Sequence, residues 1–129
     1  MSSAIRPAPP EAHKDGSQVR QKEMIARHFD RLAAAPETGA RSAYTFVPGN
    51  LTELLLSFDV LPVLPEINAL QSAMRGKTAE YIAMAEKLGH SEDVCTYVKA
   101  DLGMMAKGNI GPNGKKLPDP NVLLLSYTG

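Results

Sequence analysis

Apolar residues with helical spacing mark the first long segment of the chain. They predict a helix from Ser17 to Ala35, which Pro36 and Gly39 should end. Its apolar stripe comprises Met24, Ile25, His28, Phe29 and Leu32. A helix with one apolar stripe needs a partner surface, so we expect this face to pack on the rest of a domain.

A second apolar stripe predicts one continuous helix from Asn68 to Leu88. Gly76 weakens the middle of this segment, and Gly89 is a natural stop after its last turn. The stripe comprises Ile67, Leu70, Met74, Tyr81, Ala85 and Leu88.

Two capped helices complete the helical pattern. Ser91 is a good N-cap for a helix, and the two acidic residues after it suit the positive end of a helix dipole. The apolar face of that helix is predicted to comprise Val94, Val98, Leu102 and Met105. A shorter helix is predicted for residues 51–58, where Asn50 and Glu53 have the spacing of a capping box.

Three short β-prone runs, 44–47, 59–65 and 121–126, lie between the helices. The last contains the continuous apolar run 122–125, which is typical of a strand buried on both faces of a parallel sheet. The alternation predicts an α/β fold with a small three-stranded parallel sheet, flavodoxin-like or Rossmann-like, flanked by helices. Right-handed crossovers give the strand order 2-1-3 and place Pro62, which lacks an N–H donor, on an edge strand.

Composition narrows the class of protein. The chain has 129 residues, 43% of them hydrophobic, which suits a single α/β domain at 17–129 after a Pro-rich and Ser-rich flexible tail at 1–16. Its 14 basic and 14 acidic residues cancel without a basic patch, which argues against a nucleic-acid partner. A single cysteine, no signal-peptide pattern and no apolar run of roughly 20 residues predict a cytoplasmic protein without a membrane partner.

The single cysteine, Cys95, lies where a polar segment gives way to an apolar one, which predicts the first turn of a helix. A lone cysteine is commonly a small apolar residue packed under its helix, and the residue considered alone favours that role. Helix N-termini also favour the thiolate, the form that binds metals. An iron–sulfur cluster commonly needs four thiolates, and this chain supplies one.

The glycine-rich segment 108–116 superficially resembles a phosphate-binding loop. It has one residue too many between Gly108 and Gly114, and Lys116 stands where Ser or Thr should hold magnesium. The segment also does not join a strand to a helix. It predicts turns, and we do not expect this chain to bind ATP.

The strand–turn–helix join at 46–50 is a second candidate site. Backbone N–H groups there could hold an anionic or carbonyl group, which makes Pro48, Gly49 and Asn50 candidate substrate-binding residues, although capping alone explains them equally well. Glu66 is a candidate site carboxylate at a strand end, with a solvated loop acid as the alternative. The three histidines show no metal-ligand spacing.

Several segments together resemble the benzoyl-CoA reductase / 2-hydroxyacyl-CoA dehydratase family. The family pattern has a strand ending in Pro, a Glu-Leu-Leu helix, an acid-x-Leu-Pro-Val strand, a Cys at a helix start, and Pro-Asp-Pro before an apolar strand. These features correspond here to Val47-Pro48, Glu53-Leu54-Leu55, Asp59–Val63, Cys95-Thr96-Tyr97-Val98 with Leu102-Gly103, and Pro118–Leu125. Three longer stretches, 44–55, 65–72 and 92–99, look most like one of the subunits found in the family's ATP-dependent reductases.

The resemblance implies flavodoxin-like α/β domains and a [4Fe-4S] cluster held by three cysteines, of which Cys95 matches the first. It implies a homologous partner subunit that helps to form the acyl-CoA site. It also implies separate activator subunits, which bind and hydrolyse ATP and receive electrons from ferredoxin. The implied reaction reduces the aromatic ring of benzoyl-CoA to a cyclic diene during anaerobic aromatic degradation.

In the family, the second cysteine directly follows a segment like Ser126–Gly129, and the third lies much further along the chain. We therefore expect this chain to be an N-terminal part of a larger subunit, truncated before the second cluster cysteine and inactive in isolation. Two alternatives stay open. One is dehydration of a 2-hydroxyacyl-CoA, and the other is a non-catalytic interaction module.

Overall fold

The structure of the protein is a computed structural model that describes residues 15–46, 49 and 51–125. Its elements are α1 (Gly16–Thr38), β1 (Arg41–Thr45), α2 (Thr52–Ser57), β2 (Val60–Val63), α3 (Pro65–Met74), α4 (Thr78–Lys87), α5 (Thr96–Ala106) and β3 (Val122–Leu124). The side chain of Asp15 accepts a hydrogen bond from the backbone N–H of Ser17 and caps α1. The helix therefore starts inside the predicted tail, whose residues 1–14 lie outside the described part of the chain.

The strands form a parallel sheet in the order β2-β1-β3, so the predicted fold class and strand order are confirmed. Ala43 in the central strand lies opposite both Pro62 and Val122. Pro62 is on an edge strand, as expected from its missing N–H. Four consecutive residues of β1, 42–45, are buried, so both faces of the central strand are covered.

The predicted burial of the last strand is wrong for the part of the chain that the structure describes. Val122 is 47% exposed and Leu123 is 65% exposed. β3 is an edge strand that pairs with β1. Hydrogen bonds to the residue just before β3, and not apolar packing, hold it beside β1. The backbone N–H of Ser42 donates to the Asn121 side chain at 2.8 Å, and the Asn121 N–H donates to the Ser42 carbonyl at 3.0 Å.

The core lies between the helices and the two buried strands. Its largest members come from α1, β1, β2, α5 and the loop before β3, and they are Phe29, Leu32, Tyr44, Leu61, Val63, Met104 and Leu117. Phe29 and Leu32 of the predicted stripe lie in this core and Ile25 packs against it, whereas Met24 is 58% exposed, so the predicted packed face is confirmed only in part.

Pro36 does not end the first helix, contrary to prediction. α1 continues to Thr38 and ends at Gly39, which has a left-handed φ of 70°. Proline removes one backbone donor, but the last turn keeps other bonds. The Gly39 N–H donates to the Ala35 carbonyl, and the Thr38 hydroxyl donates to the Ala34 carbonyl at 3.0 Å.

The predicted long helix 68–88 is two helices. Gly76 has a φ of 68°, which a glycine adopts without the steric cost of a Cβ atom. The Gly76 N–H donates to the Ala73 carbonyl and the Lys77 N–H to the Ser72 carbonyl, which is the Schellman arrangement that closes a helix. The chain therefore stops α3 and turns into α4. Gly89 ends α4, as predicted.

The short helix begins at Thr52, one residue later than predicted. Its N-cap position is Leu51, with a left-handed φ of 58° and no side-chain hydrogen bond. The predicted capping pair of Asn50 and Glu53 is therefore wrong, because Leu51 occupies the cap position; Asn50 itself lies outside the described residues.

The helix predicted to start at Ser91 starts at Thr96. The Ser91 hydroxyl accepts from the Asp93 N–H at 3.2 Å, and the Ser91 carbonyl accepts from the Val94 N–H, so Ser91 closes a turn instead of capping α5. The predicted apolar face is also wrong, since Met105 is 38% exposed. The buried positions are Lys99, Ala100, Asp101, Gly103 and Met104. Two helices, α3 and α4, pack on α5, so its buried face follows small residues and polar pairs as well as apolar ones.

The tightest helix contact joins α5 to α4 at Gly103. A Cβ atom on Gly103 would lie 1.9 Å from the backbone carbonyl oxygen of Tyr81. Backbone atoms cannot move aside as a flexible side chain can, so any larger residue would separate the two helices.

Replacing Gly103 by alanine should lower the free energy of unfolding by about 3 kcal/mol, because overpacking a fixed contact costs that much. Urea unfolding followed by circular dichroism measures the change. Gly16→Ala is the matched control, since no described atom lies within 4 Å of the added methyl group and the helix gains a better former. Equal stability of the Gly103→Ala protein and the parent chain would contradict the contact.

Asp101 is buried between α5 and α3, and the side-chain amide of Asn68 donates to it at 3.4 Å. Burial disfavours the carboxylate and raises the pKa of Asp101 from 3.8 to about 6. The folded state thus binds this proton more tightly than the unfolded state does. The resulting stabilisation is complete below pH 4 and is lost as the pH rises through 6.

Because of the Asp101 carboxyl, the free energy of unfolding should decrease by about 3 kcal/mol as the pH is raised from 4 to 7. Asp101→Asn should remove this fall, and Asp93→Asn at an exposed turn should not. Other carboxyls, such as Asp30 with its lowered pKa, give a slope of opposite sign, so the difference between variant and parent is the quantity to measure. Identical pH profiles for the parent and Asp101→Asn would refute the assignment.

Candidate functional site

Cys95 occupies the N-cap position of α5, one residue before the first turn of the helix, in which it was predicted to lie. Its thiol is exposed, and its side chain makes no capping hydrogen bond within the described part of the chain. Its carbonyl accepts the first α5 hydrogen bond, from the Lys99 N–H at 3.0 Å. The packing role considered from sequence is therefore wrong, and the sulfur is available to a ligand at the positive end of an 11-residue helix.

Lys99 is the most unusual residue near Cys95. Its side chain is only 4% exposed, and the ammonium group donates to the Glu86 carboxylate on α4 at 2.6 Å. It also donates to the Glu92 carbonyl in the turn before Cys95, at 2.8 Å. The sequence pattern does not single out this residue, because a lysine four positions after Cys95 is typical of a solvated helix face.

A small cavity of about 160 Å³ adjoins the start of α5. Its lining residues come from α3, α4 and α5, and they are Ala69, Ala73, Thr78, Thr96, Tyr97 and Ala100. The Thr78 hydroxyl is buried there without a hydrogen-bond partner among the described residues. The cavity is too small for an acyl-CoA, and Cys95 is not among its lining residues.

Glu66 lies in the first turn of α3 and is half-buried. Helices α3 and α5 are antiparallel, since Asn68 near the start of α3 contacts Asp101, whereas Ala73 near its end lies beside Tyr97. Glu66 and Cys95 are thus at opposite ends of this helix pair. The structure does not bring these two candidate residues together.

The candidate substrate-binding residues at the first strand–turn–helix join are only partly described. Pro48 and Asn50 lie outside the described residues. Gly49 is exposed with a φ of 97°, a backbone conformation that favours glycine in a turn. Binding of a substrate group by this join stays a prediction.

The glycine-rich loop forms turns, as predicted from its sequence. Ile110 and Lys116 form an antiparallel bridge, and the Gly111 N–H donates to the Lys115 carbonyl at 2.8 Å. The loop is anchored in the core by Asn109, whose amide donates to the Tyr44 hydroxyl at 2.9 Å. That hydroxyl donates in turn to the Pro118 carbonyl at 3.0 Å, so the loop holds β1 and the approach to β3 together.

The chemistry of Cys95 fits one ligand of an iron–sulfur cluster, since such clusters are held by cysteine sulfurs and this cysteine is free and exposed. Within residues 15–46, 49 and 51–125, no group of three or more His, Cys, Asp or Glu side chains could hold a metal ion. Cys95 is the one cysteine of the sequence, so these residues supply one thiolate. None of the described helices combines the length and apolarity needed to cross a bilayer.

Comparison with known proteins gives two relatives. The chain is 59% identical over 120 residues, 93% of its length, to one of the benzoyl-CoA reductase subunits of Thauera aromatica. It is 26% identical over 115 residues, 88% of its length, to the (R)-2-hydroxyisocaproyl-CoA dehydratase alpha subunit of Clostridioides difficile. No family model matches the chain.

The chain spans 28% of the length of the first relative and 27% of the second. The predicted resemblance is confirmed: along nearly its whole length, this chain is similar to a subunit of benzoyl-CoA reductase, and more weakly to a 2-hydroxyacyl-CoA dehydratase subunit.

Proposed function

We propose that this chain is the part of a [4Fe-4S] subunit of an ATP-dependent benzoyl-CoA reductase that supplies the first cluster cysteine. The observation that carries the proposal is the 59% identity over 93% of the chain to a benzoyl-CoA reductase subunit. The exposed, uncapped thiol of Cys95 supports it from the structure. The parent complex is then an oxidoreductase.

Cys95 would act as one thiolate ligand. The N-terminal end of α5 carries a partial positive charge, which suits the negative charge of a ligated cluster. When bound, the cluster supplies one-electron transfer at low potential. The protein part described here contributes the ligand, its orientation and the charge around it.

The substrate and partners of the whole enzyme form the second part of the proposal, because the chain spans only 28% of the reductase subunit. The acyl-CoA site would be shared with a homologous subunit, and activator subunits would hydrolyse ATP and pass on ferredoxin electrons. The turn structure of loop 108–116 supports placing ATP on those other subunits. Pro48, Gly49, Asn50 and Glu66 are proposed contacts for the substrate.

Cys95→Ala should abolish cluster binding. A suitable test is a chimera in which this chain replaces the matching part of the Thauera aromatica subunit, reconstituted anaerobically with iron and sulfide. The parent chimera should hold about four iron atoms per subunit, and Cys95→Ala should retain almost none after desalting, because loss of one thiolate opens the cluster.

Thr96→Ala is the control for that experiment, since it changes the next residue without removing a thiolate. Iron content and the electron paramagnetic resonance signal of the reduced protein report the outcome. Equal iron content in the parent chimera and Cys95→Ala would rule out ligation by Cys95.

Dehydration of a 2-hydroxyacyl-CoA is the second candidate function, favoured by the 26% identity to a dehydratase subunit. The higher identity to the reductase subunit predicts that the full-length subunit containing this chain, activated and assembled with its partners, removes the aromatic absorbance of benzoyl-CoA. It should leave (R)-2-hydroxyisocaproyl-CoA unchanged. Dehydration of the second thioester without loss of benzoyl-CoA would reverse the assignment.

A further inference from the structure

The turn that leads into α5 is closed by hydrogen bonds to Ser91 and is also bound by the buried side chain of Lys99. The segment 92–95 begins at the Glu92 carbonyl, which accepts from the Lys99 ammonium at 2.8 Å. It ends at the Cys95 carbonyl, which accepts from the Lys99 N–H at 3.0 Å. The Lys99 side chain therefore binds the start of the four-residue segment that carries the thiol, and the Lys99 backbone makes the ordinary helical hydrogen bond at its end.

The ammonium group of Lys99 is too deeply buried to be an ordinary surface contact. Its side chain is 4% exposed, and a charge removed from water must be compensated by close partners. Glu86, on the neighbouring helix α4, provides the opposite charge, and its carboxylate oxygen lies 2.6 Å from the Lys99 ammonium nitrogen. The pair thereby joins the turn before Cys95 to α4, the helix that α5 contacts most tightly.

The same helix pair offers an internal comparison. Lys107, just after the end of α5, pairs with Glu80 on α4, but the Lys107 side chain is 36% exposed and contacts no loop carbonyl among the described residues. Both pairs bridge α4 and the α5 region. Of the two lysines, Lys99 is the one that also binds the backbone of the turn before Cys95.

We propose that Lys99, held by Glu86, is a positioning residue that fixes the backbone of Cys95 for ligation. The inference rests on the proposed function of Cys95. A metal ligand must be held within about 0.5 Å of its productive position, so a mobile N-cap backbone would weaken cluster binding. Lys99 does not itself touch the cluster in this proposal.

Hydrogen exchange of the 129-residue chain, measured by mass spectrometry, tests the positioning role directly. Lys99→Met keeps the aliphatic stem but removes the ammonium, and the hydrogen-bonded amides of Asp93 and Val94 within 92–95 should then exchange roughly tenfold faster, the change expected for loss of one charge-assisted hydrogen bond. Lys107→Met is the matched control and should leave this segment unchanged. Lys99→Arg keeps the charge and donors and should restore slow exchange.

Equal exchange of residues 92–95 in Lys99→Met and Lys107→Met would overturn the proposal. If circular dichroism shows that Lys99→Met has lost its helices, Glu86→Gln decides the matter. That variant removes the charge partner but leaves a hydrogen-bond acceptor. It should accelerate exchange in 92–95 more than at the end of α5, and equal acceleration in these two segments would overturn the proposal.

The rate at which the cluster is lost distinguishes failure of the positioning role of Lys99 from failure of ligation by Cys95. In the reconstituted chimera, Lys99→Met should lose iron to a chelator roughly tenfold faster than Lys107→Met, matching the exchange difference. If the parent chimera binds no iron, the proposed function fails, whatever the exchange data show. If it binds iron and the two variants release it equally fast, Cys95 ligation stands and the positioning role fails.

Discussion

The close approach of α5 to α4 is the constraint on which the described structure depends. At Gly103 the two helices meet so closely that a methyl group would overlap the Tyr81 carbonyl. This contact fixes the position of α5, and with it Met104 in the core and Cys95 at the helix start. The ion pairs of Lys99 and Lys107 then fix the two ends of the same helix pair.

The order of the strands and their parallel pairing were predictable from the sequence because both follow from general rules. Alternating helices and apolar runs specify a parallel sheet, and right-handed crossovers allow few orders. The glycine stop at Gly89 was predictable for the same reason, since local backbone chemistry decides it. At Gly76 the same chemistry breaks the helix, but the apolar stripe continues across the break and hides it.

The buried face of α5 was not predictable from apolar periodicity. Lys99 and Asp101 are buried because a partner on another helix, Glu86 or Asn68, satisfies each of them. Such pairing is set by tertiary structure and leaves no periodic signal in one sequence. The position of Cys95 at a helix start was predictable from sequence, but its exposure and its connection to Lys99 were not.

Ligation of a cluster by Cys95 from the start of α5 is the central claim, and a crystal structure of the reconstituted chimera, grown without oxygen, tests it most directly. We expect an iron atom bonded to the Cys95 sulfur, with the Lys99 ammonium still on the Glu92 carbonyl. A cluster ligated entirely by other residues, with the Cys95 thiol free in solvent, would contradict the claim.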